Sequence, residues 1–224
     1  MSRIYDASVD GELLAGMRLA RMALAKGQLV VLPTDTVYGI AADAFIPHAV
    51  TALLEAKGRG RQSPPPVLMP SAATIDALAS SVPDQVRALA EAFWPGGLTV
   101  IVDAQPSLAW DLGDADGTVA LRVPAHPIAL ELLKETGPLA VSSANLTGQP
   151  AAQNAAAALE QLGDSVEVYL EGGSSDATPS TIIDVTPIQR GTGPARILRD
   201  GAVSAAALHE VLGDDLAPAT EALG

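Results

Sequence analysis

Short runs of branched aliphatic residues alternate along this chain with longer segments whose apolar side chains recur at helical spacing. No other sequence feature restricts the fold as much. Residues 28–32, 67–69, 98–102, 119–123, 139–141, 166–170, 181–185 and 196–199 read as strands. Among the helical segments, Leu13, Leu14, Met17 and Leu24 mark a helix that Asp10 can cap and Gly27 stops. A second begins at Pro47, a favoured first-turn residue, and carries Val50, Leu53 and Leu54 on one face up to Lys57-Gly58. Others lie near 71–80, 83–93, 127–135, 153–162 and 204–212. Strands interleaved with helices specify an α/β fold around an open, twisted and at least partly parallel sheet. The chain reads as one domain over residues 1–212 with an acidic, flexible tail at 213–224. After Arg199 no cation remains, only Asp200, Glu210, Asp214, Asp215 and Glu221.

Composition narrows the chemistry. With no cysteine, a disulfide scaffold, a zinc ribbon, a thiol nucleophile and an iron–sulfur cluster are all excluded. Lys plus Arg number 13 against 26 Asp plus Glu, a formal charge of −13. That balance opposes broad attraction to nucleic acid or anionic lipid, but it permits a small basic site within an acidic exterior. No apolar run is long enough to span a membrane, and residues 1–6 lack a signal-peptide core, so the expectation is a soluble cytoplasmic protein. The sequon at Asn145-Leu146-Thr147 is then a chance match.

Familiar nucleotide signatures fail. There is no P-loop string, and Gly191-Thr192-Gly193 starts like a dinucleotide fingerprint but places arginine at 196. His48, His126 and His209 lie far apart and have no metal-ligand spacing, so no metal site is expected. The cations are another matter. Lys57, Arg59 and Arg61 crowd into five residues, and Arg190, Arg196 and Arg199 into ten. On an extended strand the first three would share a face toward one polyanion, with arginine forks matching phosphate oxygens. The plain alternative is a solvated loop in which cations favour a helix C-terminus.

Two polar segments follow apolar runs directly. Pro33-Thr34-Asp35-Thr36-Val37-Tyr38-Gly39 packs hydroxyls, a carboxylate and a phenol where α/β sheets border their ligand crevice, although local Thr and Asp turns would explain it too. Ser142-Ser143-Ala144-Asn145-Leu146-Thr147-Gly148 offers small donors that a ligand can approach closely. No G-x-S-x-G elbow surrounds either serine.

Taken in order, PTDTVYG at 33–39, K-x-R at 57–59, LRVP at 121–124, SSAN-x-[ST]G at 142–148, PSTIID at 179–184 and ILR-x-G at 197–201 resemble the YrdC-like threonylcarbamoyl-AMP synthase family over residues 8–208. The resemblance implies a YrdC-like twisted open mixed sheet with flanking helices and a concave basic cleft. It implies the conversion of L-threonine, bicarbonate and ATP into threonylcarbamoyl-AMP and pyrophosphate, with Mg²⁺ carried by the phosphates. It also implies a functional link to the complex that transfers threonylcarbamoyl to adenosine of tRNA in t6A modification.

By the same resemblance Lys57 and Arg59 face the triphosphate, and Ser143 and Asn145 line that centre from the opposite loop. Both cations are expected to act on ligand rather than on the fold. Arg122 anchors the threonine carboxylate, with Thr36, Ser143 and Ser180 completing the amino-acid pocket. Ser63, Thr118, Asn145 and Arg199 join Arg59 around ATP, while Arg61 and Arg196 are additions from charge geometry alone. One segment departs. Where the family has a histidine after its Asn-Pro-Leu stretch, the aligned run Ser63-Pro64-Pro65-Pro66-Val67-Leu68 ends in leucine. The competing readings are a carbamoyl-adenylate-forming module of hydrogenase maturation and a noncatalytic RNA-binding or ribosome-assembly module. Against the latter stand the acidity and the scarcity of aromatic residues, two Trp, three Tyr and two Phe.

Overall fold

The computed structural model describes residues 3–175 and 178–218. Its strands are β1 Arg3–Asp6, β2 Val30–Leu32, β3 Gly39–Asp43, β4 Val67–Leu68, β5 Leu98–Asp103, β6 Thr118–Arg122, β7 Leu139–Ser143, β8 Val168–Glu171, β9 Thr181–Asp184 and β10 Arg196–Arg199. Its helices are α1 Asp10–Ala25, α2 Pro47–Ala56, α3 Ile75–Leu78, α4 Asp84–Phe93, α5 Pro127–Thr136, α6 Ala155–Leu162, α7 Thr186–Gln189 and α8 Ala205–Leu212. The strands form one ten-stranded mixed sheet in the order β1-β8-β2-β3-β7-β4-β6-β5-β9-β10. The expected α/β fold with an open mixed sheet is what the chain adopts.

Side-chain alternation explains how this sheet makes a cleft. In the half built on β2 and β3 both faces are covered. Val30, Leu32 and Ala41 pack with Leu24 of α1 and Leu132 of α5, while Val31, Ile40 and Ala42 pack with Leu53 of α2 and Ala158 of α6. Strands buried on both faces read as unbroken apolar runs. In the half built on β5, β6 and β9 only one face is covered. Val100, Val102, Val119, Leu121 and Ile183 pack with Leu89 of α4 and Leu208 of α8. The alternate residues Thr99, Ile101, Thr118, Ala120, Arg122 and Ile182 line an open cleft instead.

Several expectations need correction. Strands β1 and β3 carry no clear sequence signal. β3, Gly-Ile-Ala-Ala-Asp, has little β-branched content because it is squeezed between neighbours: a Cβ on Gly39 would sit 2.6 Å from Val141 Cγ1. Asp10 does not cap α1. Val9 occupies that position, and Asp10 and Glu12 instead place negative charge in the first turn. The helix expected at 71–80 is a 3-10 turn at Ala72–Thr74 followed by the single turn α3. The start of the acidic tail is not free either. Leu216 is buried in the core and residues 195 and 215–217 exchange backbone hydrogen bonds, so the ordered fold runs past 213. The remainder of that tail, 219–224, lies outside the described residues.

Candidate active site

The cleft has a volume of about 500 Å³ and its floor is the uncovered face of the sheet, a size that suits a nucleotide-sized ligand. Pro64, Pro65, Pro66, Leu112 and Ala115 contribute an apolar part of its lining. Thr34, Thr36, Leu68 and Arg122 line it together with Arg59, Ser142, Ser143 and Asn145. Most residues expected from the sequence are therefore brought together: Thr36, Arg59, Thr118, Arg122, Ser143, Asn145, Ser180 and Arg199 all line this one cavity.

The local turn after α2 explains how K-x-R divides its labour. Lys57 closes the helix, Gly58 takes φ +65°, and the amides of Gly58 and Arg59 bond back to Glu55 O and Leu54 O. This glycine-dependent C-terminal turn reverses the chain. It buries the Lys57 side chain, 1% exposed, and leaves Arg59 at the cleft wall. Lys57 Nζ donates to Ser143 O and, at 2.7 Å, to Asn145 O. Lys57 thus holds the backbone of the Ser-Ala-Asn loop from behind and does not line the cavity as expected. Burial and then the nearby Arg59 charge push its pKa down to about 8.

Arg59 crosses to the same loop, donating from Nε to Thr147 Oγ1 at 3.1 Å and from Nη1 to Ser142 Oγ at 3.4 Å. Among the described residues no carboxylate pairs with it. Arg199 is aimed by Ser180, whose carbonyl accepts from Nε at 3.0 Å and Nη2 at 2.7 Å, while Ser180 Oγ accepts from Nη2 at 3.0 Å. Burial and the Arg59 charge both lower the Arg199 pKa. Two guanidiniums that repel each other across one cavity favour an anion between them.

Arg122, 6% exposed, is held from three sides. Nε donates to Gly96 O at 2.8 Å, Nη1 to Thr36 Oγ1 at 2.8 Å, and Nη2 to Asp35 Oδ1 at 2.7 Å. Burial lowers its pKa and the Asp35 charge opposes that shift. Arg122 is the desolvated member of the pair, so removing Asp35 would strand a buried charge. Asn145 has equal definition. Nδ2 donates to Leu146 O and Gln149 O, both at 2.8 Å, which assigns the amide orientation by chemistry. Its Oδ1 is left as a buried acceptor with no partner.

Other expectations miss the cavity. Ser63 does not line it, and its amide closes a tight turn onto Gly60 O. Arg61 turns away to Asp111, at 2.8 and 3.0 Å, and to Asp114 at 3.2 Å. The reason is that residues 57–61 form a turn rather than a strand, so alternate side chains do not share a face. Arg190 pairs with Asp103, and Arg196 is exposed on β10. Solvent screens such exposed pairs, and they add little to stability. Arg61→Ala should accordingly leave turnover within about twofold of wild type, measured alongside the loss expected for Arg59. Sequence reading offered Thr34 and Asp35 only as members of a polar segment, without Asp35 as the partner of Arg122, and missed Thr99, whose hydroxyl meets Ser180 Oγ at 2.8 Å. Alternation from Ile101 along β5 was the signal that could have found Thr99.

Comparison with known proteins fits this geometry. Residues 22–201 match the Sua5/YciO/YrdC family, described as telomere recombination. A protein of Mycobacterium tuberculosis, provisionally named threonylcarbamoyl-AMP synthase, is 53% identical over 218 residues, 97% of this chain and 98% of its own length. The threonylcarbamoyl-AMP synthase of Pyrococcus abyssi is 34% identical over 88% of this chain and 57% of its own. The solved structure of Pyrococcus abyssi Sua5 complexed with L-threonine superposes with a TM-score of 0.82 at 30% identity, covering 98% of this chain and 63% of that one. The chain belongs to the Sua5/YciO/YrdC family.

Proposed function

We propose that this chain is an L-threonylcarbamoyladenylate synthase, a nucleotidyltransferase that forms threonylcarbamoyl-AMP and pyrophosphate from L-threonine, bicarbonate and ATP. The observation that carries the reading is the convergence of Arg59 and Arg199 on one cleft that also presents Arg122, buried and bonded to Thr36 and Asp35. The first two suit a polyphosphate and Arg122 an amino-acid carboxylate. The names carried by relatives that align nearly end to end support the same reading.

In this scheme the neutral amine of threonine adds to the carbon of bicarbonate, releasing water and giving a carbamate. A carbamate oxygen then attacks the α-phosphorus of ATP, the bond to the bridging oxygen breaks, and pyrophosphate leaves. No protein nucleophile is needed. Catalysis rests on alignment and on neutralising charge at the phosphoryl oxygens, which Arg59, Arg199 and the Ser143 hydroxyl would supply. The apolar wall of Pro64–Pro66 and Leu112 would take the base beside Thr118. Leu68 lines the cleft where the family pattern has histidine, so no imidazole contributes from that position. Mg²⁺ would arrive with the phosphates of ATP. The same reading gives the protein a cytoplasmic place in t6A modification of tRNA beside a transferase complex; among the described residues no helix is long and apolar enough to cross a membrane.

Relatives that align with this chain nearly end to end carry the threonylcarbamoyl-AMP synthase name, which favours the synthase over either alternative. Purified protein should release pyrophosphate from ATP only when threonine and bicarbonate are both present. Equal release without threonine would refute the assignment.

A further inference from the structure

We infer that Thr34, through its hydroxyl, fixes the hydrogen-bond polarity of Thr36, so that Thr36 Oγ1 offers the bound amino acid only an acceptor and never a donor. Thr34 is thus a positioning residue for substrate recognition. The inference rests on the synthase reading for the identity of the amino acid.

Each hydroxyl has one proton to give, and the geometry says where each goes. Thr34 Oγ1 lies 2.6 Å from Val37 O, and a carbonyl can only accept, so the single hydroxyl proton of Thr34 is spent there. Thr34 Oγ1 also lies 3.1 Å from Thr36 Oγ1. With the Thr34 proton committed, Thr36 must donate in that contact. The Thr36 amide donates to the same oxygen at 3.2 Å, which fills both Thr34 lone pairs. Thr36 Oγ1 in turn accepts from Arg122 Nη1 at 2.8 Å. A directed chain therefore runs from Arg122 N–H to the Thr36 hydroxyl, to the Thr34 hydroxyl, to Val37 O. One lone pair of Thr36 Oγ1 is left over.

Both threonines are buried, Thr36 only 2% exposed, yet both border the cleft. A lone pair beside a guanidinium discriminates chemically. Arg122 can take the substrate carboxylate, whereas Thr36 Oγ1 would repel a carboxylate oxygen and must receive an N–H or O–H. An α-amino acid with a β-hydroxyl carries both kinds of group, its amine two bonds and its hydroxyl three bonds from the carboxylate carbon. Valine at 34 would keep the branched shape but release the Thr36 proton, which could then turn toward the substrate and oppose its donor.

The test compares wild type, Thr34→Val and Thr34→Ser by pyrophosphate release and by calorimetric titration of threonine. Thr34→Val should raise the threonine KM and Kd roughly tenfold, the scale of one lost or mismatched buried hydrogen bond, while the ATP KM stays within about twofold. Thr34→Ser should restore the threonine constants, because it returns the hydroxyl. Using 2-aminobutyrate, which lacks the β-hydroxyl, locates the donor. A persisting Thr34→Val penalty assigns the amine and a vanishing one assigns the hydroxyl, and either supports the chain of polarity. Unchanged threonine constants in Thr34→Val, or equal rises for threonine and ATP, would overturn the inference. If wild type released no threonine-dependent pyrophosphate, the synthase reading would fail by itself, and the threonine titrations would still decide the role of Thr34.

Discussion

Arg59→Ala should lower threonine-dependent pyrophosphate release by about 10³-fold and leave the melting temperature close to that of wild type. The size of the effect follows from where the charge stands. Removing one preorganised donor from a developing oxyanion costs on the order of 10²–10³ in turnover, and arginines that meet a transferring phosphoryl group are worth as much or more. The small stability effect follows from what the side chain lacks. Arg59 has no carboxylate partner among the described residues, only hydroxyl contacts to Thr147 and Ser142. It also lowers the pKa of both Lys57 and Arg199 by repulsion, so its deletion relieves strain among like charges. A protein that keeps a charge at such cost without an internal counterion is holding it for a ligand. Arg59→Lys should recover only part of the activity, since an ammonium cannot span two phosphoryl oxygens as a guanidinium does. Unfolding of Arg59→Ala at ordinary temperature would show that the cation is structural after all.

The sheet half buried on both faces was legible in the sequence because unbroken apolar runs such as Val30–Leu32 have few other uses. The cleft-forming half was legible only in part. Ile101, Ala120 and Ile182 are apolar yet face the cavity, so periodicity along β5, β6 and β9 marks two faces without saying which one a helix will cover. The site residues reached through motifs mostly line one cavity, because Thr36 follows β2, Ser143 ends β7 and Ser180 directly precedes β9, and the sheet fixes where those termini lie. The cations were harder. Charge clustering grouped Arg61 with Arg59, whereas the turn at Gly58 sends them apart, and the bidentate geometry that draws Arg61 to Asp111 joins residues 50 apart in sequence. No local pattern encodes that pairing. Likewise Asp35 looks like one more polar turn residue until β6 brings Arg122 to it.

Lys57 is expected to behave differently from Arg59, although they are two residues apart in one motif. Lys57→Met should destabilise the protein by about 2–4 kcal/mol near neutral pH and also abolish most of the activity. Methionine can fill the buried stem, but the carbonyls of Ser143 and Asn145 would lose their donor, and each buried polar group left unpaired costs about 1–3 kcal/mol. The loop that presents the Ser143 hydroxyl and the Asn145 amide would then lose its backing, so activity falls through geometry rather than through a missing contact to substrate. The pH dependence separates this from a ligand-facing role. With a folded pKa of about 8 against 10.5 for an unperturbed lysine, the unfolded chain binds a proton that the folded chain has already released between those values. Stability conferred by this residue therefore rises with pH across that window, by about 2 kcal/mol from pH 7 to 9.5. The gap between wild type and Lys57→Met in chemical denaturation should widen by that amount, since methionine has no proton to lose. A variant as stable as wild type at both pH values, yet inactive, would mean that the ammonium reaches the ligand; a widening gap places it behind the loop.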